Sequence, residues 1–342
     1  MRSTLFSSLL GVLCLSSLVS LAAPVAAQGS SKLEEVKSRG TLRCGVNNQL
    51  PGFGNLDDAG NYVGFDIDIC RALAAAVLGD PQAIEFVSLT AANRQSAIQA
   101  NEVDFMIRNT TWTLTRDREW GATFGPTAYY DGQGFLVRKE LEINELSQLD
   151  GASICVISGT TTELNLADVF RARSLAFEPI TFENEDTAFT AYEEGRCDAI
   201  TNDQSSLISR RSTLAAPDDH LILEEIISKE PLGPLVAQGD TQWADIMNWT
   251  MFALFYADEK GITSENINTF ADSEDPDIQR FLGIDGNLGE LLGLEPTWTQ
   301  TVIESVGNYG EIFDRNLTPL GVQPGLNQPY TEGGIHYAPP FR

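Results

Sequence analysis

Residues 152–182, ASICVISGTTTELNLADVFRARSLAFEPITF, give the clearest indication of the fold. The apolar run 152–157 is typical of a buried strand, residues 161–173 of a helix, and residues 177–182 of a second strand. A strand, a helix and a strand in this order predict parallel strands joined by a helix that covers the sheet. This unit is therefore expected to be α/β.

A unit of the same kind precedes it. Its predicted elements are a strand at 41–46, a helix at 68–79, a strand at 83–89, a helix at 92–102 and a strand at 103–107. The first of these helices has an apolar face at helical spacing, and Gly79 with the following Asp-Pro ends it. Two α/β units in tandem, each with a parallel sheet and helices on its faces, are therefore predicted.

The segment 241–261, TQWADIMNWTMFALFYADEKG, is apolar on nearly every face. A helix of this kind is buried rather than surface-lying, and we expect it to pack on the first unit. The chain would then pass between the units twice, near 131–139 and 226–238, and two crossings form a hinge beside a cleft. The predicted boundaries are 28–135 and 236–342 for lobe 1, and 136–235 for lobe 2, which is inserted into it.

The N-terminus predicts export. Residues 1–27 combine Arg2, a mostly apolar stretch and small residues at its end, which are the features of a signal peptide cleaved before Gln28. Lipid attachment at Cys14 is a weaker alternative, because the bulky Leu13 precedes it. No other segment reaches the length of a membrane span. We expect a mature protein that is soluble and exported.

Export makes disulfides the expected use of the cysteines of the mature chain. Four cysteines allow three pairings, and the sequence does not choose between them. The local pairs Cys44–Cys70 and Cys155–Cys197 are favoured, because each closes a short loop. Their spacing does not resemble a zinc site, and the chain has only 2 histidines. We therefore expect neither a metal nor a cofactor.

The charge of the chain excludes one class of partner. Asp and Glu number 48 against 22 Lys and Arg, which gives a formal net charge of −26. Sequence-independent binding to nucleic acid requires basic side chains that neutralise phosphates, so no nucleic acid is expected as a partner, and no anionic membrane surface either. Such a charge is typical of a soluble protein with weak self-association, and we expect a monomer.

The turn SGTTTE at 158–163 joins a predicted strand to the following helix. Thr160 and Glu163 fit a capping box, which is a purely structural role, but this role needs neither Thr161 nor Thr162. A helix N-terminus offers free N–H groups and a positive dipole. The amides and hydroxyls of the three threonines therefore predict a site for a small anionic group such as a carboxylate.

A comparable loop, IRNTTWTLTRDRE, follows the last predicted strand of the first unit. It offers Asn109, Thr111 and Thr113, and hydroxyls beside one guanidinium suit the capture of a carboxylate. Spacing alone does not rank Arg116 against Arg118. An arginine in this setting is usually a solvated charge on a helix, and we expect this role for Arg116.

Asp203 ends a predicted strand of the second unit, in the stretch RCDAITNDQS. Ligand groups in open α/β sheets lie at the carboxyl ends of the strands. Asp203 could cap the next helix, which is the more common role, or could face a ligand cation. Loops that bind a carboxylate, together with one opposing acid, match the needs of a free α-amino acid zwitterion.

These motifs resemble the family 3 bacterial solute-binding proteins of ABC-type polar amino-acid uptake systems, and most closely their general L-amino-acid-binding branch. The stretch GFDIDICRALAAAV at 64–77 matches the family signature, and the resemblance extends from about residue 32 to the C-terminus. Further shared motifs are RNTTWT at 108–113, SGTTTELNLADVF at 158–170 and GGIHYAPPFR at 333–342. The resemblance implies a type II periplasmic-binding-protein fold, α/β and two-lobed, which closes on its ligand about a hinge.

The resemblance also implies how the amino-acid backbone is bound. Arg118 would bind the α-carboxylate, helped by Thr111 or Thr113 and by the amides at 160–162. Both threonines stay open, because the loop has two more residues than in shorter members of the family. Asp203 would bind the α-ammonium.

For the ligand side chain, the resemblance singles out Arg94 and Glu185. Arg94 matches an arginine of the glutamate/aspartate-binding members, and Glu185 stands where those members have a histidine. An arginine and a glutamate at one pocket favour acidic and neutral polar ligands.

The predicted function is therefore a periplasmic solute-binding component that captures polar L-amino acids and delivers them to ABC permease subunits in the inner membrane, and not an enzyme. The alternative is a periplasmic cyclohexadienyl dehydratase-like enzyme on the same fold. Such an enzyme needs a general acid, and Glu185 is the candidate for that role. A signalling receptor is a third interpretation, disfavoured because the sequence shows no second span or appended domain.

Overall fold

The computed structural model describes residues 31–342; the predicted signal peptide, residues 1–27, lies outside them. The strands are β1 (Leu42–Val46), β2 (Gln49–Leu50), β3 (Gly54–Leu56), β4 (Tyr62–Val63), β5 (Ile84–Ser88), β6 (Phe105–Met106), β7 (Ala122–Phe124), β8 (Tyr129–Asp131), β9 (Gln133–Arg138), β10 (Ala152–Ile157), β11 (Phe177–Phe182), β12 (Ala199–Asp203), β13 (His220–Ile222), β14 (Glu230–Leu232) and β15 (Leu235–Ala237). The α-helices are α1 (Lys32–Arg39), α2 (Phe65–Leu78), α3 (Arg94–Gln99), α4 (Leu114–Glu119), α5 (Thr161–Ala172), α6 (Glu185–Glu193), α7 (Gln204–Arg211), α8 (Thr241–Glu259), α9 (Pro276–Phe281), α10 (Leu288–Leu292), α11 (Trp298–Val306) and α12 (Tyr309–Asn316). Within residues 31–342, every helix is too short or too polar to cross a membrane.

Two five-stranded sheets organise these residues. The first has the order β5-β1-β6-β15-β7, and the second has the order β11-β10-β12-β9-β13. As predicted, β1 is parallel to β5 and β6, and β10 is parallel to β11 and β12. The other strands differ, because β15 and β9 run antiparallel to both of their neighbours. The strands that the sequence predicted are therefore parallel, and the additional strands make both sheets mixed.

The antiparallel strands follow from the way the chain crosses between the sheets. Gln133, the first residue of β9, pairs with Asp203, the last residue of β12. Leu235, the first residue of β15, likewise pairs with Met106 at the end of β6. Each of these strands enters its sheet at the edge where the parallel strands end, so it must run in the opposite direction.

The two crossings lie side by side as a small antiparallel ribbon. Strand β8 pairs with β14, and Asp131 lies opposite Glu230. Along the chain, β8 leads from the first sheet to the second and β14 leads back. Asn327 holds this ribbon from outside: its Oδ1 accepts from the amide of Tyr130 at 2.6 Å, and its Nδ2 donates to the carbonyl of Tyr130 at 3.2 Å. Strand β9 begins at Gln133, three residues before the predicted start of lobe 2.

Helix α8 lies in the core, as its composition predicted. Trp243, Ile246 and Leu254 are buried in the same apolar cluster as residues of β1 and α2, which belong to the first unit. The indole Nε1 of Trp243 donates to the carbonyl of Asp104 at 2.7 Å, so its polar atom is also satisfied. The prediction that this helix packs on the first unit is confirmed.

Both favoured disulfides are present. Cys44 of β1 is joined to Cys70 of α2, and Cys155 of β10 is joined to Cys197, just before β12. Each bond therefore lies within one of the two units and ties a strand to a neighbouring segment.

The second unit offers a test of its core. The ring of Phe170 on α5 is fully buried, 5.0 Å from that of Phe177 and 6.0 Å from that of Phe135. We expect Phe170→Ala to lower the free energy of unfolding by about 3–5 kcal/mol, because it leaves a cavity. Leu164→Ala on the same helix removes a side chain that is 67% exposed, and should change it by less than about 0.5 kcal/mol. Urea denaturation measures both, and equal effects would contradict the assigned faces of α5.

Candidate functional site

A cavity lies at the edge where the parallel strands of both sheets end. About 340 Å³ of space, partly open to solvent, is lined by residues of both units: Ala91, Arg94, Arg108, Asn109, Thr111, Arg116, Ile157, Thr160, Thr161, Thr162, Glu185, Asn202 and Asp203. This is the position at which open α/β sheets bind ligands. Of the thirteen lining residues, three are arginines and two are acids, so the cavity is unusually rich in charge.

The predicted threonine turn forms one wall. Thr160 is the N-cap of α5, and its Oγ1 accepts from the amide of Glu163 at 3.2 Å. Glu163 does not complete the predicted capping box, because its carboxylate accepts from the amide of Gly159 instead, at 2.9 Å. The first amides of a helix have no acceptor within it. The amides of Thr161 and Thr162 thus belong to the end of a helix that favours an anion.

Arg116, and not Arg118, is the arginine of the first loop that lines the cavity. Arg116 is 7% exposed and donates from Nη1 to the carbonyl of Thr111 at 2.9 Å. Arg118 is exposed to solvent. Helix α4 begins after its N-cap Thr113, and two residues in a helix differ by about 200° around its axis. The structure therefore places Arg116 in the lining and Arg118 on the solvent side, which is the reverse of the prediction.

The two threonines of this loop have different places. Thr111 lines the cavity, and its Oγ1 lies 3.2 Å from Oγ1 of Thr161 across the cleft. Thr113 is not part of the lining, because its Oγ1 accepts from the amide of Arg116 as the helix cap. Asn109 also lines the cavity, and its backbone adopts φ 34°, in the left-handed region.

Two further arginines are buried here. Arg94 is 2% exposed and donates to the carbonyls of Ala91, at 3.1 Å, and of Gly159, at 3.3 Å. The second bond joins α3 of the first unit to the turn before α5. Arg108, which sequence analysis missed, donates from Nε to the carbonyl of Leu89 at 2.7 Å. Burial lowers the pKa of both guanidinium groups. The position of Arg108, directly after the predicted strand 103–107, was the signal that could have revealed it.

The acids of the cavity are buried and incompletely paired. Asp203 is 4% exposed, and its Oδ1 has no hydrogen-bond partner; Oε2 of Glu185 is likewise without one. Burial raises the pKa of Asp203 and of Glu185. The negative charges of Asp131 and Glu230 raise the pKa of Asp203 further. These two oxygens are acceptors that no residue among 31–342 satisfies.

Glu230 was also missed by the sequence analysis. Its carboxylate, 1% exposed, accepts from Oγ1 of Thr111 at 2.6 Å, from Oγ1 of Thr161 at 2.9 Å and from Nδ2 of Asn165 at 2.7 Å. It lies in the crossing strand β14 and connects the loop of the first unit to α5 of the second. No pattern in the extended segment around it indicated this role.

Together these groups suit a small zwitterion. Guanidinium groups and helix amides can bind a carboxylate, and Asp203 can bind an ammonium group. Within residues 31–342, no cluster of His, Cys, Asp and Glu is arranged to hold a metal ion. Asn202, missed by the sequence analysis, adds an unpartnered donor, because its Nδ2 is buried without an acceptor.

Comparison with known proteins places the chain among solute-binding proteins. The model of the bacterial extracellular solute-binding proteins, family 3, matches residues 42–260. A general L-amino acid-binding periplasmic protein of Rhizobium johnstonii is 51% identical over 94% of this chain and 96% of its own length. A glutamate/glutamine/aspartate/asparagine-binding protein of Rhodobacter capsulatus is 47% identical over 95% and 97%. An ABC transporter periplasmic binding protein from Brucella ovis, solved with glutathione bound, has a TM-score of 0.89 at 50% identity over 92% of this chain and 100% of that one.

Asp66 supports the loop that carries Asn109 and Arg108, and it gives a pH test. Its carboxylate accepts from the amide of Asn109 at 3.0 Å, and burial raises its pKa to about 7. Since the folded pKa exceeds the unfolded value of about 3.9, this group stabilises the fold less and less as pH rises from about 4 to 7. We expect the free energy of unfolding of Asp66→Asn, relative to wild type, to rise over that window, by up to about 1.4 kcal/mol per pH unit.

Urea denaturation from pH 4.5 to 8 measures this difference. Asp58→Asn, which replaces an exposed carboxylate, is the matched control and should run parallel to wild type. A difference between Asp66→Asn and wild type that stays constant with pH would contradict the raised pKa.

Proposed function

Because the chain belongs to the family 3 bacterial extracellular solute-binding proteins, we propose that it captures polar L-amino acids in the periplasm and delivers them to the permease subunits of an ABC transporter. The observation that carries this proposal is the single cavity whose lining combines Arg116, the N-terminus of α5 and Asp203. These are a cationic group, a set of free amides and an anionic group within the reach of one small zwitterion.

The α-carboxylate would lie between Arg116 and the amides at 160–162. A guanidinium can hold both oxygens of a carboxylate, while the helix N-terminus adds N–H donors and a positive dipole. The α-ammonium would donate to Oδ1 of Asp203, which has no partner among residues 31–342. Because Arg116 lies on α4 of the first unit and Asp203 ends β12 of the second, the ligand backbone would join the two sides of the cleft.

The ligand side chain would meet Arg94, Arg108 and Glu185. Two guanidinium groups favour side chains with acceptor oxygens, and the carboxylate of Glu185 adds an acceptor for N–H groups. This combination supports acidic and neutral polar amino acids as ligands. The name of the Rhodobacter capsulatus relative, which pairs the two acids with their amides, is in line with such a range.

We propose that residues 28–135 and 236–342 form lobe 1, that residues 136–235 form lobe 2, and that the lobes rotate about the ribbon of β8 and β14. Such a rotation would open the cleft by breaking the bonds that cross it, such as Asn47 Nδ2 to Glu185 Oε1 at 3.0 Å. Capture then requires the ligand to bind the closed state more tightly than the open one.

Export and assembly complete the proposal. Residues 1–27 would act as the signal peptide, and the mature protein would work in the periplasm as a monomer, with the permease as its membrane partner. The periplasmic relative at 51% identity supports this location. The family consists of solute-binding proteins, so the dehydratase alternative is not retained.

A γ-glutamyl peptide is a second ligand class that one observation favours. The Brucella ovis protein, 50% identical over most of this chain, was solved with glutathione bound. Glutathione carries a free α-carboxylate and α-ammonium on its glutamyl residue, so the same backbone site would serve it. Isothermal titration against the twenty amino acids and glutathione separates the two classes.

The corrected arginine gives the sharpest test of the binding mode. We expect Arg116→Ala to weaken binding of glutamate and glutamine by about 2–5 kcal/mol, because a buried carboxylate would lose its charged partner. Arg118→Ala, two residues away on the solvent side of the same helix, should bind within about twofold of wild type. Isothermal titration measures both affinities. Unchanged binding by Arg116→Ala, or a loss confined to Arg118→Ala, would refute the assignment of Arg116.

A further inference from the structure

We infer that Glu185 selects between carboxamide and carboxylate side chains of the ligand by gaining or losing a proton. This inference rests on the proposed function, since it concerns the side-chain end of the same cavity. Deprotonated Glu185 would fit the amides, and protonated Glu185 would fit the acids.

The geometry of Glu185 fixes one oxygen and leaves the other free. Glu185 is the first residue of α6 and is 3% exposed. Its Oε1 accepts from Nδ2 of Asn47 at 3.0 Å across the cleft, which sets the orientation of the carboxyl group. Its Oε2 is buried in the cavity lining without a partner. A buried oxygen of this kind can accept a hydrogen bond from a donor on the ligand.

A chain of hydrogen bonds ties this acid to the arginine side of the cavity. Nη1 of Arg108 donates to Oδ1 of Asn109 at 3.2 Å, and Nδ2 of Asn47 donates to the same oxygen at 3.4 Å as well as to Glu185. Arg94 lines the cavity beside them. The part of the cavity that would hold the ligand side chain therefore presents guanidinium donors and one acceptor, and hydrogen bonds fix their relative positions.

A carboxamide side chain on the ligand pairs with both the guanidinium donors and the acceptor. Its carbonyl oxygen accepts from a guanidinium, and its NH₂ donates to Oε2 of ionised Glu185. A carboxylate side chain has the same shape but two acceptor oxygens, so its second oxygen would face Oε2 with both groups negative. One proton taken from solvent removes this conflict, because protonated Glu185 donates its O–H to the ligand carboxylate. The net change is one proton bound for each acidic ligand and none for each amide.

The burial of Glu185 and the charges around it favour its protonation. Burial raises its pKa, and the charges of Arg108 and Arg210 oppose that rise. Arg210 on α7 is itself paired with Asp186, at 2.7 Å, and Asp186 raises the pKa of Glu185. Arg94 from α3 and Asp203 at the end of β12 also interact with Glu185. An incoming anion would push the pKa of Glu185 further upward.

The experiment is isothermal titration with glutamate and with glutamine in buffers of different ionisation enthalpy, which counts the protons taken up. At pH 7.5, wild type should take up about one proton more per glutamate than per glutamine. Protons exchanged by Asp203 or by the backbone site are common to both ligands and cancel in this difference. From about pH 6 to 8, the affinity for glutamate should fall by up to about tenfold per pH unit relative to that for glutamine.

Glu185→Gln removes the titrating group while keeping the shape. In this variant the difference in proton uptake should vanish, and the ratio of the two affinities should become independent of pH. Glu194→Gln is the matched control: it removes an exposed carboxylate at the other end of the same helix and should keep both effects. Circular dichroism verifies that each variant is folded.

Two outcomes overturn the inference: an equal proton uptake for the two ligands in wild type, or an unequal uptake that survives in Glu185→Gln. The wild-type measurement decides even if Glu185→Gln does not fold. If neither glutamate nor glutamine binds wild type at any pH, the proposed function fails instead. If both bind with a constant ratio, the proposed function stands and the role of Glu185 is refuted.

Discussion

The contact between the two sheets depends on buried polar groups that pair across the cleft. Glu230 is the clearest case, since its buried carboxylate accepts from Thr111 on one side of the cleft and from Thr161 and Asn165 on the other. A buried carboxylate without such partners would cost several kcal/mol. The hydroxyls that surround it are therefore part of the closed contact between the units, and they also fix the wall where the backbone of a ligand would bind.

The cavity beside this contact is incomplete in a specific sense. Oδ1 of Asp203, Oε2 of Glu185 and Nδ2 of Asn202 are buried without partners among residues 31–342. Closing the cleft over these groups without a ligand carries the cost of removing them from water. A molecule that supplies the missing donors and acceptor removes this cost, so the same atoms that recognise a ligand would also favour closure.

The sequence predicted the regular parts of this molecule well and the loops less well. The cap at Thr160 and the buried helix α8 follow from local patterns, because caps and apolar periodicity act over a few residues. The choice between Arg116 and Arg118 depended on the residue at which α4 begins, since a shift of one residue rotates a side chain by about 100°. Glu230 lies in an extended crossing, and its partners come from distant parts of the chain, so no local pattern reports them.

The order of the strands has a consequence for how the protein is made. The second sheet uses β9 to β13, from residue 133 to residue 222, without interruption by other sheets' strands. The first sheet needs β15, at Leu235–Ala237, between β6 and β7, which come more than 100 residues earlier. A chain that emerges N-terminus first can therefore complete its second sheet before its first. Until β15 is available, the edges of β6 and β7 that pair with it stay unpaired. Unpaired strand edges promote aggregation, so we expect the first unit to be the more aggregation-prone during synthesis.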